Sequence, residues 1–221
     1  SEHFEWEQID PMGRPVVENY GRVVDTGDMD NRQLVDRCAP CHSRRAEIGD
    51  YDHSQVNLLE YVVPSLLTDG IYHADGQILE EDYVWGSFLQ SKMYRAGVSC
   101  SDCHNPHSAE LVGGANPNEV CSQCHMRTKF ATAEHAAHVP EQAACVDCHM
   151  TSRTYMVVDD RRDHSFRIPR PDLTESVGAP NACNGCHTDR DTAWAVATIS
   201  EWRGPDAPPP KVHFATALDA G

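Results

Sequence analysis

The stretch Cys100-Ser101-Asp102-Cys103-His104 decides how this chain is read. It is a C-x-x-C pair followed at once by histidine. The same pattern occurs as Cys38-Ala39-Pro40-Cys41-His42, Cys121-Ser122-Gln123-Cys124-His125, Cys145-Val146-Asp147-Cys148-His149 and Cys183-Asn184-Gly185-Cys186-His187. All ten cysteines fall in these five pairs. Two thiols at this spacing can add across the two vinyl groups of one porphyrin, and a histidine beside the second anchor can reach the iron. The motifs predict five covalent haem c groups, with the ten cysteines as thioether anchors. His42, His104, His125, His149 and His187 are the predicted proximal iron ligands.

Other uses of paired cysteines fit less well. The 17 residues between Cys103 and Cys121 suit a zinc ribbon, but such ribbons take their pairs in twos and here there are five. A thioredoxin-like dithiol needs no following histidine. Only 13 of the 221 residues are histidine, so chance would place one after all five pairs about once in a million.

The composition agrees with a core that is not made of side chains. The 40% hydrophobic share counts every cysteine, and the chain carries 14 Gly and 14 Pro. The expected fold class is mainly α with long loops and little β, with a pentahaem array as the core. A net charge of −16 excludes nucleic acid as a partner, because phosphates must be neutralised by basic residues. Lysine occurs only at Lys92, Lys129 and Lys211, which leaves no polybasic run for a membrane surface. With its two propionates, each ferric haem adds about one further negative charge, a field that favours cationic or metal-containing partners.

No apolar stretch approaches the roughly 20 residues of a membrane span. The start, Ser1-Glu2-His3-Phe4-Glu5-Trp6, has no signal-peptide core. Haem c is attached outside the cytoplasm, so the expected location is periplasmic or extracellular, with the signal peptide absent from this sequence.

Three regions are expected: an N-terminal arm over 1–37, a pentahaem domain over 38–188, and a C-terminal helix with a proline-rich tail over 189–221. The arm is read as holding a short hairpin over Pro15 to Val24 with its turn at Asn19 to Gly21. A helix is predicted over Glu81 to Arg95, with Tyr83, Val84, Phe88 and Leu89 as its buried stripe. Another is predicted over Asp189 to Arg203 and stopped by Gly204, then a stiff Gly204-to-Pro210 linker, then the start of a helix from His213.

Several longer stretches resemble a known family. These are His73-Ala74-Asp75-Gly76-Gln77-Ile78, Gly86-Ser87-Phe88-Leu89-Gln90-Ser91-Lys92-Met93, Cys103-His104-Asn105-Pro106-His107-Ser108 and Arg161-Arg162-Asp163-His164-Ser165-Phe166-Arg167-Ile168-Pro169-Arg170-Pro171-Asp172. Together with Cys148-His149-Met150 and Tyr155-Met156-Val157-Val158-Asp159, they resemble the multihaem cytochrome c domain that precedes tetratricopeptide repeats in bacterial proteins. That domain is related to the tetrahaem cytochrome c of ammonia oxidisers. The resemblance runs from Cys38 to Leu218. No tetratricopeptide repeat is read after it, so the family's partner-binding part is not expected here.

Eight histidines lie outside the motifs, and neutral imidazole is a strong iron ligand. His107 stands three residues after His104, an arrangement the related family uses to reach a neighbouring iron. His135 and His138 are also three apart, so on a helix they share a face and can serve two adjacent irons. With His73 and His164, which lie in the family motifs, these form the expected distal set. His53, His213 and His3 are reserves. Methionine is the rival ligand, but Met126 and Met150 follow motif histidines and point away from the same iron.

Two function classes follow. With every iron six-coordinate, the chain is an electron carrier, not an enzyme, and electrons hop between closely packed, mostly bis-histidine haems. Its partners are then redox proteins or extracellular acceptors, or further copies of itself in an extracellular conductive filament, which the haem density resembles. The alternative is a haem enzyme acting on a small nitrogen compound, nitrite or hydroxylamine, at one iron without a distal ligand. Pentahaem nitrite reductases use lysine as the proximal ligand at the active haem, whereas here every motif ends in histidine. Arg161, Arg162, Arg167 and Arg170 are candidates to pair with propionates.

Overall fold

A computed structural model describes residues 2–17, 22, 24–51, 57–80, 83–139 and 142–219. Most of the described helices have four to six residues, and two reach twelve. Among the described residues the helices are α1 (Glu2–Glu7), α2 (Asn31–His42), α3 (Val84–Phe88), α4 (Lys92–Arg95), α5 (Pro117–Ser122) and α6 (Arg127–Phe130). They continue with α7 (Ala133–Ala136), α8 (Cys145–His149), α9 (Asp172–Val177), α10 (Ala182–Cys186), α11 (Thr192–Arg203) and α12 (Phe214–Asp219). Among the described residues, strand is confined to two antiparallel ribbons. One pairs β1 (Arg45–Glu47) with β2 (Val62–Pro64), and the other pairs β3 (Ser152–Tyr155) with β4 (Asp159–Arg162). The mainly helical, loop-rich class expected from the sequence is what the structure shows.

The polypeptide closes around little of itself. A compact chain of 24.6 kDa would expose about 10,000 Å2, whereas this one exposes 14,525 Å2. Side-chain packing is limited to small clusters. Ala39, Leu58 and Val62 form one, flanked by Tyr51, Tyr61 and Trp85, and Tyr72, Ile78 and Tyr155 form another. The first cluster holds α2 in place. That helix opens on a capping box in which Asp30 accepts from the Gln33 N–H at 2.8 Å and Gln33 accepts from the Asp30 N–H at 2.9 Å. Its buried face, Val35 and Ala39, is fully covered, and the Trp85 indole donates to Asp36 at 3.1 Å.

The helix predicted over Glu81 to Arg95 is two helices in the structure. Ser91 takes extended backbone and its hydroxyl accepts from the Tyr94 N–H, so it starts α4 where the sequence pattern suggested continuity. Of the expected stripe, Phe88 is buried, while Tyr83, Val84 and Leu89 are half-buried. Helix α11 begins at Thr192, three residues after the expected start, because Asp191 caps it through the Trp194 N–H. It ends at Gly204 with φ of 83°, as predicted. The linker after Gly204 is non-helical, and the tail returns to the body. Arg170 donates to the Lys211 carbonyl at 3.1 Å, and Ala215 of α12 is 1% exposed. The hairpin expected over Pro15 to Val24 has its turn outside the described residues. Helix α2 runs across the boundary at 37/38.

Candidate haem sites

The five motifs follow one another in space as they do in sequence. The Cys38 and Cys100 thiols share a hydrogen bond, which pulls Cys38 down to about 7 and pushes Cys100 far up. Cys103 lies close enough to Cys124 to feel its charge, although burial is the larger cause of its raised pKa. Burial likewise raises Cys121 to about 11, with Cys145 adding to it through charge and a hydrogen bond. Burial raises Cys148 too, and Cys183 and Cys186 are next in its surroundings. Each motif therefore abuts its successor.

Polar side chains fix these junctions. Asn31 of α2 donates to the Tyr94 carbonyl at 2.9 Å, ahead of the second motif. The Gln123 amide donates to the Asp102 carbonyl at 3.3 Å, tying the third motif to the second. The Asn118 side chain accepts from the Cys145 N–H at 2.9 Å, tying the third to the fourth. Among the described residues no cluster of three or more metal-binding side chains forms, so the cysteine pairs do not gather into zinc-ribbon sites there.

Three motif histidines face a second imidazole. His104 stands opposite His164 with ring centres 6.3 Å apart, His149 opposite His135 at 6.1 Å, and His187 opposite His138 at 6.0 Å. An iron held on both sides by metal–nitrogen bonds of about 2 Å sets two imidazole centres roughly 6 Å apart. The spacing therefore fits a ligated iron.

The tautomers fit as well. One ring of each pair gives its Nδ1–H to a backbone carbonyl: His164 to Arg162 at 2.9 Å, His149 to Arg167 at 2.7 Å and His138 to Ala136 at 2.8 Å. That bond leaves Nε2 with its lone pair free, the atom an iron would take, and fixes the ring plane. Burial holds His164 and His135 below the ordinary imidazole pKa, which keeps them in the neutral, ligating form.

His135 and His138 do not share a helix face. Helix α7 stops at Ala136, and Ala137 takes a left-handed φ of 52°, which turns His138 away toward His187 while His135 faces His149. His73 and His107 are not brought opposite a motif histidine among the described residues. His73 sits near Asp75, Arg153 and Asp163, and burial lowers its pKa. His107 is exposed, and its N–H donates to the Asn105 side chain at 2.9 Å. His53 and the side chain of His3 lie outside the described residues. His213 lies against the tail, and its Nδ1 accepts from the Ala215 N–H at 3.3 Å.

His42 and His125 face no second histidine ring at this spacing among the described residues. His42 lines a cavity of about 470 Å3 together with Tyr83, Arg161, Arg162 and His164. The four candidate arginines all have protein partners. Arg161 pairs with Asp159, Arg162 with Asp147, Arg170 with Asp172, and Arg167 donates to Ser165 and Gln90. Two aromatic side chains that the sequence pattern does not single out stand beside these histidines. Phe130 stands edge-on to both His125 and His135, at 5.4 and 5.2 Å, and Trp194 lies 4.9 Å from His187. The first falls five residues after a motif histidine, a spacing that carries no general rule.

Comparison with known proteins agrees with this geometry. The family model described as the doubled CXXCH motif matches residues 92–130, the second and third motifs. The chain is 25% identical over 112 residues to the multihaem cytochrome MtrA of Shewanella baltica (strain OS185), an alignment covering 48% of this chain and 29% of that protein. The chain is a multihaem c-type cytochrome. Its fold is similar to that of the outer cell wall cytochrome OcwA, with a TM-score of 0.51 at 16% identity over 75% of this chain and 51% of the other. The cytochrome thus spans about a third to a half of the length of the relatives it matches. Its paired C-x-x-C-H motifs bind haem c covalently.

Proposed function

We propose that the cytochrome carries five haem c groups and passes electrons along them without catalysis of its own. The observation that carries this reading is the set of three imidazole pairs at 6.0–6.3 Å, on motifs that abut in series. In this reading His164 is the distal ligand at the second motif, His135 at the fourth and His138 at the fifth. The irons at His42 and His125 draw theirs from His73, His107 and His53. Two imidazoles on one iron leave no position for substrate, and tight axial ligation keeps reorganisation on electron transfer small. The haem supplies the redox chemistry. The polypeptide supplies anchoring, neutral imidazoles, and the spacing of one motif against the next.

The chain is divided, in this proposal, into an arm over 1–37, the pentahaem body over 38–188 and a tail over 189–221. Its location is periplasmic or extracellular, and its partners are redox proteins, extracellular acceptors or further copies of the chain. No described helix is long and apolar enough to cross a membrane. A reductive titration of the haem-loaded protein tests the carrier reading. Uptake of five electrons per chain, with no consumption of nitrite or hydroxylamine, is expected, and sustained turnover of either compound overturns it.

One observation favours the second reading, a haem enzyme for a small nitrogen compound. His42 lies beside a cavity flanked by two guanidiniums and a phenol, groups that could hold a small anion. Rapid binding of nitrite at one iron in five would support it.

A further inference from the structure

A second cavity is lined by residues outside the haem motifs. It measures about 680 Å3, and neither a motif cysteine nor a motif histidine lines it. Its walls include the rings of Tyr72, Trp85 and Phe214 and the exposed side chain of Leu66. Three cationic or donor groups converge on it, Arg95, Arg167 and His213. Ligand sites of small proteins have this volume and this makeup, apolar walls with a few polar groups that fix orientation.

His213 differs from the paired histidines in the way its ring is held. Their Nδ1 atoms give a proton to a carbonyl, whereas the Nδ1 of His213 accepts one from the Ala215 N–H. The proton of the neutral ring is therefore on Nε2. Such a ring presents a hydrogen-bond donor and no lone pair for iron. The guanidiniums have donors to spare. Arg95 makes one hydrogen bond at 3.5 Å to the Gln90 carbonyl. Arg167 uses Nε on Ser165 and Nη2 on Gln90. The charged groups that act on His213 from neighbouring elements are Arg167, Arg170, Asp75 and Asp172, and Arg95 adds a cation to the cavity wall.

We propose that this cavity binds a planar aromatic molecule with an anionic head, of the aromatic carboxylate class, its ring among Tyr72, Trp85 and Phe214 and its head toward Arg95, Arg167 and His213. The arginine fork matches a carboxylate in geometry, and flat rings favour a flat ligand over an aliphatic chain. Trp85 also packs on the cluster that holds α2, so an occupant sits behind the first haem motif.

Isothermal titration of the intact, haem-loaded protein with 2-naphthoate tests this. One naphthoate per chain is expected, with 2-naphthalenemethanol, the same body without charge, bound at least about tenfold more weakly. Arg95→Gln and Leu66→Glu should each weaken naphthoate about tenfold, the first through the head and the second through the wall, while the haem absorption spectrum stays fixed on addition of the probe. No saturable uptake by about 1 mM, equal affinity for acid and alcohol, or unchanged affinity in both variants overturns the proposal. So does a shift of the haem spectrum by naphthoate, which would place the probe on an iron.

Discussion

An imidazole can hold iron only through a nitrogen that carries no proton, so the partner of Nδ1 decides which histidines qualify. His138, His149 and His164 each spend that proton on a carbonyl. The account therefore predicts that His164→Ala, His135→Ala and His138→Ala each turn one haem in five from low to high spin, at the second, fourth and fifth motifs respectively. Electron paramagnetic resonance of the oxidised variants checks this, and a low-spin spectrum unchanged by any of the three removes that residue from the ligand set. The five motif histidines stand out in the sequence because the C-x-x-C-H pattern fixes both the residue types and their spacing. The histidines proposed as distal ligands stand out only as a pool. Nothing local distinguishes His164 from His107, since a distal ligand is set by the approach of two remote segments. The role of Ala137, whose left-handed backbone separates His135 from His138, left no mark in the residue pattern.

At the scale of elements, the motif helices α5, α8 and α10 have five or six residues, whereas α2 runs for twelve. The sequence pattern ran Glu81 to Arg95 together because period alone does not register that a serine at position 91 can cap as well as continue. The tail shows the reverse case, where Gly204 and the prolines marked its path but its docking depends on Arg170. That guanidinium holds the Asp172 carboxyl below the usual carboxylate range and also donates to Lys211. A lowered folded-state pKa means the contribution is present above the ordinary carboxylate value of about 4 and is lost as pH falls through the folded value. The pair is a quarter to a third exposed, so its share is about 1 kcal/mol or less. The hydrogen-exchange protection factors of the tail amides Ala215 and Thr216 should therefore fall as pH drops below about 4, and Asp172→Asn should remove that pH dependence. A fall equally steep in the variant would show that another group holds the tail.

For the whole molecule, an exposed surface of 14,525 Å2 on 221 residues fits the proposal that bound haems share the interior. Intact-mass measurement of the native protein should accordingly find five haems and no free thiol, and four or fewer would leave one motif unused. The proposed self-association would use apolar side chains of the arm and the tail. Phe4, Met12 and Val16 of the arm and Val212 of the tail are exposed, at 65%, 97%, 104% and 86%. Repulsion between chains of charge −16 opposes assembly, so salt or divalent cations should promote filaments visible by electron microscopy. Uniform monomer-sized particles at high concentration and salt would end that proposal. Composition announced the borrowed core, through ten cysteines in five motifs, but the order of contact between motifs came only with the folded chain. The central claim is that every iron is closed by a second protein ligand, and the spin state of the fully oxidised native protein tests it most directly. Electron paramagnetic resonance with spin counting should find five low-spin ferric haems per chain, and one stoichiometric high-spin iron would contradict the carrier account.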